Sequence, residues 1–309
     1  MRIFILTLLA MIAFASNSLL CRAALKETNI DAATFTFVRI LSGAVVLWLI
    51  IMMRRIRFPS PQSSPNERGG PFSLGEKVGM RDGGNWVSAF ALFAYAAAFS
   101  FAYNTLSAGT GALLLFGAVQ ATMILWGFRR GEKLDAIQIV GLILAIAGLI
   151  VLVLPGLSAP PLIGSVLMLS AGIAWGVYSL RGKIKGSDGD PIAATAGNFL
   201  RAVPFAALVS VIMLARIRLD AFGIIYAVIS GALTSGVGYV IWYAALPGLN
   251  AASAATVQLC VPVLAATGGI FLLGESITLR YVIASIAVLG GIFLVVIEKR
   301  RGPSAALSK

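Results

Sequence analysis

The 309-residue chain has no histidine, two cysteines and only twelve acidic residues. Histidine is the side chain that most often ligates metals and moves protons near neutral pH, so its absence excludes His-based triads and the usual zinc sites. Cys21 and Cys260 are too few for a disulfide framework or a metal cluster. No Gly-Lys-Ser/Thr phosphate loop occurs, which removes the common route to ATP hydrolysis. All twelve acids, from Glu27 to Glu298, fall between apolar stretches or at their ends, and Ser253 and Cys260 have no base in their own stretch. Catalysis at bilayer depth needs a buried cluster of such groups, so the chain is expected to be no enzyme and to hold no cofactor or metal.

Apolar residues are abundant instead: 59% of the chain is hydrophobic, 12% is charged, and the mean hydropathy is +0.94. A soluble globule of this size has no use for so much apolar surface, and a lipid solvent does. Ten apolar stretches are found, at residues 3–21, 34–53, 85–104, 108–128, 136–154, 162–181, 192–214, 221–243, 251–273 and 280–297. Each is close to the ~20 residues that a helix rising ~1.5 Å per residue needs to cross ~30 Å of hydrocarbon. The expected fold is an all-α integral membrane protein with ten transmembrane helices.

The stretches form two halves that echo each other. Gly131-Glu132 recurs as Gly274-Glu275 at an offset of 143, which also carries Gly148 onto Gly291. Phe37-Val38-Arg39 matches Phe199-Leu200-Arg201 at an offset of 162, and Ala13-Phe14 matches Ala174-Trp175 at 161. The offset shrinks because the Pro- and Gly-rich stretch 54–84 occurs in the first half alone. Five spans per half is an odd number, so the halves enter the membrane in opposite senses, as two inverted five-helix repeats. The expected organisation is a first repeat over 1–155 with a cytoplasmic linker at 54–84, an inverted second repeat over 156–298, and a cytoplasmic tail at 299–309. Inverted repeats around a midplane site are the architecture of alternating access in secondary transporters.

The net charge of +12 raises the question of a nucleic-acid partner, and its distribution answers it. With a cytoplasmic N-terminus, seventeen Lys and Arg fall on the cytoplasmic side, five fall outside, and Arg39 and Arg201 lie within spans. That is the positive-inside asymmetry, so the basicity sets orientation and no nucleic-acid partner is expected. Arg2, the apolar run after it and Ala13-Phe14-Ala15 before Ser16 also fit a cleaved signal peptide, but removing this helix would strip span 6 of its counterpart.

Ala174-Trp175-Gly176, Phe-x-Arg in spans 2 and 7, and Pro262 followed by Leu272-Leu273-Gly274-Glu275-Ser276 resemble the drug/metabolite transporter superfamily, EamA-type branch. The resemblance covers nearly the whole chain. It implies a bacterial inner-membrane exporter of amino acids or other small metabolites, most similar to exporters of aromatic and neutral amino acids. The first half departs from the pattern, with Val119 where the second has Pro262 and Phe14 where it has Trp175. A kink in span 9 without one in span 4 is therefore expected.

Buried polar and aromatic residues are where a solute site is sought. Tyr95, Phe99 and Tyr103 recur at i, i+4 and i+8 and share one face of span 3. Trp175, Tyr178, Tyr239 and Tyr243 add stacking surface, and Asn17, Gln120 and Gln258 add hydrogen-bonding groups. Such a wall suits a solute with a flat apolar side chain. The alternatives are packing, an interfacial belt for Tyr103, Tyr178 and Tyr243, and interhelical bonding for the amides. Burying either Arg39 or Arg201 unpaired costs at least ~2.5 kcal/mol. Either holds a substrate carboxylate or, the preferred reading here, snorkels to helix-end carbonyls and lipid phosphate. Without a midplane carboxylate or histidine, a passive or weakly coupled exporter is expected, with proton-coupled efflux of drugs or other metabolites, and a non-transporting scaffold or receptor, as alternatives. The expected partners are a small-molecule substrate and the bilayer. A monomer suffices, because ten spans can enclose a cavity.

Overall fold

The computed structural model describes residues 1–57, 83–131, 135–156, 159–185, 190–249 and 251–298. Glu132, most of the linker at 54–84 and the tail at 299–309 lie outside the described residues.

Within the described residues the regular structure is all helical: α1 Arg2–Glu27, α2 Ala32–Arg57, α3 Trp86–Tyr103, α4 Ala108–Arg129, α5 Ala136–Val153, α6 Leu162–Lys185, α7 Pro191–Ile212, α8 Ala221–Ile229, α9 Gly238–Ala245, α10 Ala251–Gln258, α11 Cys260–Leu273 and α12 Leu279–Glu298. These give ten helices long and apolar enough to cross a membrane; α8, a π-helical turn at Ser230–Val237 and α9 together make the eighth, and the ninth runs from Thr256 to Leu273. Their outward faces carry large apolar side chains, such as Ile143 at 62% and Phe271 at 81% exposure, which suits lipid and not water. The first helix runs to Glu27, past the expected end at residue 21, so Arg22 and Lys26 are helical.

Local chemistry sets the helix starts. Asp31, Asn85, Ser107, Asp190 and Asp220 each offer a side-chain oxygen to a backbone N–H in the first turn that follows. Asp31 is the most heavily engaged. It accepts from the N–H groups of Ala33 and Thr34, both at 2.9 Å, from the Thr34 hydroxyl at 2.6 Å and from the Arg218 N–H at 2.9 Å. Burial alone would raise its pKa, but these donors outweigh burial and hold the carboxyl below the usual carboxylate range. Its stabilisation is therefore present above the ordinary carboxylate pKa and is lost as pH falls through the lower folded value. Asp31→Ala should lower stability by about 1 kcal/mol at neutral pH, with the deficit fading only under acid. Thermal unfolding in detergent at pH 7 and in acid checks this; equal neutral stabilities would contradict it.

The main packing pairs are matched when the two halves are exchanged. Span 2 packs on span 7, span 4 on 9 and span 5 on 10; the pairs 3–6, 3–7 and 4–6 are matched by 8–1, 8–2 and 9–1. Small residues permit the tightest crossings. Gly141 on α5 faces Gly291 on α12, and Gly172 on α6 meets Ala118 on α4, where an added Cβ would come within 2.6 Å of a neighbour. Gly231 lies against the backbone of Arg39.

Two irregularities break the symmetry, both in the second half. The ninth span is interrupted at Leu259, between α10 and α11. Pro262 has no N–H to give and its ring crowds the Gln258 carbonyl four residues back, whereas α4 continues through Val119. The expected kink is therefore a break. The π-helical turn at Ser230–Val237 has no counterpart in the unbroken α3 and was not anticipated; such turns disturb the i→i−4 ladder and recur at functional sites.

Candidate functional site

A small cavity of about 30 Å³ lies between the halves, walled by Phe14, Asn17 and Ser18 of α1, Tyr95 and Phe99 of α3, Leu115 and Phe116 of α4, Trp175 of α6, Thr234, Ser235 and Tyr239 of the eighth span, and Gln258 of α10. This is room for a few water molecules.

Its walls are largely aromatic. The Trp175 ring lies 4.8 Å from Tyr95, 5.3 Å from Tyr178 and 5.4 Å from Tyr239, stacked on the last at 16°. Its counterpart Phe14 packs on Tyr239 at 5.8 Å and on Trp242 at 6.0 Å. Tyr95 and Tyr239 occupy matching places 144 positions apart, so Trp175 on Tyr95 and Phe14 on Tyr239 are equivalent contacts, each joining one half to the other. The second half supplies the larger ring, Trp175 against Phe14.

The polar wall is a chain of hydrogen bonds. Asn17 Oδ1 accepts from Ser230 Oγ at 2.6 Å and lies 3.3 Å from Thr234 Oγ1, which ties α1 to the π-helical turn. Asn17 Nδ2 donates to the Tyr95 hydroxyl at 3.4 Å, and Arg39 Nη2 donates to the same oxygen at 3.0 Å.

Arg39 corrects an expectation. It does not snorkel: it is 2% exposed, with its guanidinium carbon 4.8 Å from the Phe99 ring centroid and 5.3 Å from that of Tyr95. Its Nη1 has no hydrogen-bond partner. The close approach of the Gly231 turn to α2 and the rings of α3 leave it no route to an interface. Arg201 donates instead to the carbonyls of Gly83, before α3, and, at 3.1 Å, of Gly197 on its own helix. The matched arginines therefore have different surroundings.

Both ends of the bundle are closed. At one, Arg22 Nε meets Glu275 Oε1 at 3.0 Å while Arg22 Nη1 donates to the carbonyls of Tyr103 at 2.9 Å and Asn104 at 3.3 Å. Glu275 Oε2 accepts from the Ala108 N–H at 2.8 Å, at the start of α4, and Lys26 Nζ reaches the Leu273 carbonyl at 2.5 Å. Arg22 and Tyr103 each stand one helical turn beyond a cavity residue, Ser18 and Phe99, so this network separates the cavity from a second one of about 210 Å³ that Glu275, Ser107 and Tyr281 line at the bundle end. At the opposite end, the Asn85 N–H donates to Asn198 Oδ1 at 2.9 Å, Asn198 Nδ2 to the Tyr178 hydroxyl at 3.5 Å, and Arg181 Nε to Ser88 Oγ at 3.3 Å. Arg54 and Asp190 form an exposed pair there at 3.4 Å.

Of the residues singled out from sequence, Asn17, Tyr95, Phe99, Trp175, Tyr239 and Gln258 line the cavity together. Tyr178 lies behind Trp175, and Arg39 lies behind Tyr95 and Phe99. Tyr103 is fully buried rather than interfacial, donating to the Ala108 carbonyl at 3.2 Å. Gln120 is buried one turn past Phe116, outside the lining, and the Tyr243 hydroxyl meets Thr195 at 3.4 Å. Sequence reasoning missed Phe14, Ser18, Leu115, Phe116, Thr234 and Ser235 as lining residues. Thr234 and Ser235 are adjacent hydroxyls in an apolar span, but such residues usually bond their own helix backbone, as Thr234 also does to Ser230 at 2.7 Å, and so carry little signal.

Comparison with known proteins gives the same architecture and a family. A solved structure with 16% sequence identity superposes with a TM-score of 0.63, over 97% of this chain and 98% of the other. A Pseudomonas aeruginosa protein described as uncharacterized is 53% identical over 294 residues, 95% of this chain and 94% of its own length. The uncharacterized transporter YoaV of Bacillus subtilis is 21% identical over 86% of this chain and 87% of its own. The threonine/homoserine exporter RhtA of Salmonella typhimurium is 30% identical over 54% of this chain and 57% of its own. The model of the EamA-like transporter family matches twice, at residues 1–154 and 162–297, one match for each half. The ten-helix chain with its aromatic cavity between two like halves belongs to the EamA-like transporter family.

Proposed function

We propose that this transporter exports amino acids with aromatic or other neutral side chains, or similar small metabolites, across a bacterial inner membrane by alternating access, as a facilitator. The observation that carries the reading is the central cavity, flanked by the Trp175, Tyr95 and Tyr239 rings and closed at both ends. Flat rings offer a solute stacking surface, and the Asn17 chain offers it polar contacts. The two halves, residues 1–155 and 156–298, act as inverted repeats that open the cavity to one side or the other by exchanging conformations. With both termini cytoplasmic, the Glu275 end is the outer one and the 210 Å³ cavity is the exit vestibule. The exporter RhtA, as a relative that moves threonine and homoserine, supports the amino-acid class.

The facilitator reading follows from the placement of acids. Among the described residues the two ion pairs, Arg22–Glu275 and Arg54–Asp190, lie at the bundle ends, and no carboxylate lines the central cavity. A proton-for-solute exchanger needs a membrane-buried group that trades one for the other. Purified protein in liposomes should therefore release loaded phenylalanine down its gradient at similar rates with and without a pH difference. Strict dependence on an imposed proton gradient would overturn this reading.

A further inference from the structure

We propose that the central cavity takes its solute by a carboxylate, received by the Tyr95 hydroxyl and the Asn17 amide and favoured by the Arg39 charge behind them; this rests on the reading of the cavity as the transport site. Counting lone pairs and protons fixes the polarity of this wall. Tyr95 Oη accepts from Arg39 Nη2 and from Asn17 Nδ2, so its lone pairs are engaged and its proton is what it has left to offer. Asn17 Oδ1 accepts the Ser230 proton at 2.6 Å, while the Thr234 proton goes to the nearer Ser230 carbonyl at 2.7 Å, so the amide oxygen is engaged by Ser230 and the second N–H of Asn17 is left to donate. The wall therefore presents donors to the cavity.

The charge has the matching sign. Arg39 is buried with Nη1 unpartnered, its guanidinium faces the Tyr95 and Phe99 rings, and neither ion pair among the described residues involves it. A buried cation behind donors, with no carboxylate in the lining, favours an anionic group in the cavity and disfavours an ammonium. The substrate class is thus carboxylic acids with an apolar or aromatic body, amino acids being held by their carboxyl end. Arg39 does not line the cavity and acts through Tyr95, so it is a positioning residue.

Three compounds with one ring and different polar ends test this: 3-phenylpropanoate, phenylalanine and phenethylamine, titrated calorimetrically into the full-length protein in detergent. The two carboxylates should bind, and the amine should bind at least about tenfold more weakly. Tyr95→Phe keeps the ring and should weaken the acids about tenfold while leaving the amine unchanged. Arg39→Gln should do the same and Arg39→Lys should restore part of the preference; Tyr95→Phe decides the matter alone if Arg39→Gln does not fold. An amine bound as tightly as the acids, or an acid preference that survives Tyr95→Phe, overturns the carboxylate assignment and leaves the cavity as the site. Failure of all three to bind the unaltered protein overturns the reading of the cavity itself, and the assignment with it.

Discussion

Glu275→Gln should raise the rate at which a membrane-impermeant maleimide labels Cys21 by about ten- to a hundredfold, because a charge-assisted bond contributes about 1.5–3 kcal/mol and each ~1.4 kcal/mol is a factor of ten in population. Cys21 is a built-in probe: it is free, fully buried, and adjacent in sequence to Arg22. The Glu275 carboxylate joins three elements at once, through Arg22 on α1, the Ala108 N–H that opens α4, and its own place after the left-handed Gly274 that ends α11. The amide of glutamine can take one of these bonds but supplies no charge to Arg22, whose remaining contacts are the Tyr103 and Asn104 carbonyls. The closed end is then weakened, and states open at that end gain population. The half-buried Cys260 is replaced by Ser in both proteins so that one thiol reports. Unchanged labelling would mean that the Arg22–Glu275 pair does not hold this end shut.

Trp175→Ala should cut solute flux by about a hundredfold, while Phe14→Ala should have a smaller effect, although the two residues are counterparts. Trp175 touches three rings, Tyr95, Tyr178 and Tyr239, and its contact with Tyr95 bridges the two halves. Phe14 also contacts the other half but touches two rings, Tyr239 and Trp242, both on span 8. Removing the indole deletes the shared stacking surface, and aromatic pairs contribute about 0.5–1.5 kcal/mol each beyond their buried area. Trp175→Phe, which installs the residue that the first half uses, should keep most of the flux. Initial rates in proteoliposomes, with thermal unfolding as a check on folding, measure this. Equal losses at Trp175 and Phe14 would contradict the asymmetry.

How much of this was legible in the sequence depends on the range of the physics involved. The ten spans follow from length and hydropathy, which act within each helix, and they agree with the structure to within a few residues except where α1 continues to Glu27. The break before Pro262 follows from a clash four residues back, also local. The π-helical turn was not legible, because Ser230, Gly231, Ser235 and Gly236 are the same small residues that a plain helix crossing uses. Arg39 and Arg201 stand in the same motif with opposite surroundings. Whether a guanidinium snorkels depends on what blocks its path, and for Arg39 that is Gly231, Tyr95 and Phe99 from two distant segments. The span 3 face at i, i+4, i+8 was legible as a face; that its first two members line a cavity while Tyr103 closes the end is a property of the bundle.

Alternating access predicts exchange, and counterflow measures it. Proteoliposomes loaded with unlabelled phenylalanine and diluted into a trace of the labelled compound should accumulate label transiently above its equilibrium level, because unlabelled solute inside competes with the entered label for the one site and slows its exit. Uptake that only equilibrates, unaffected by unlabelled solute inside, would contradict a cavity that opens to one side at a time.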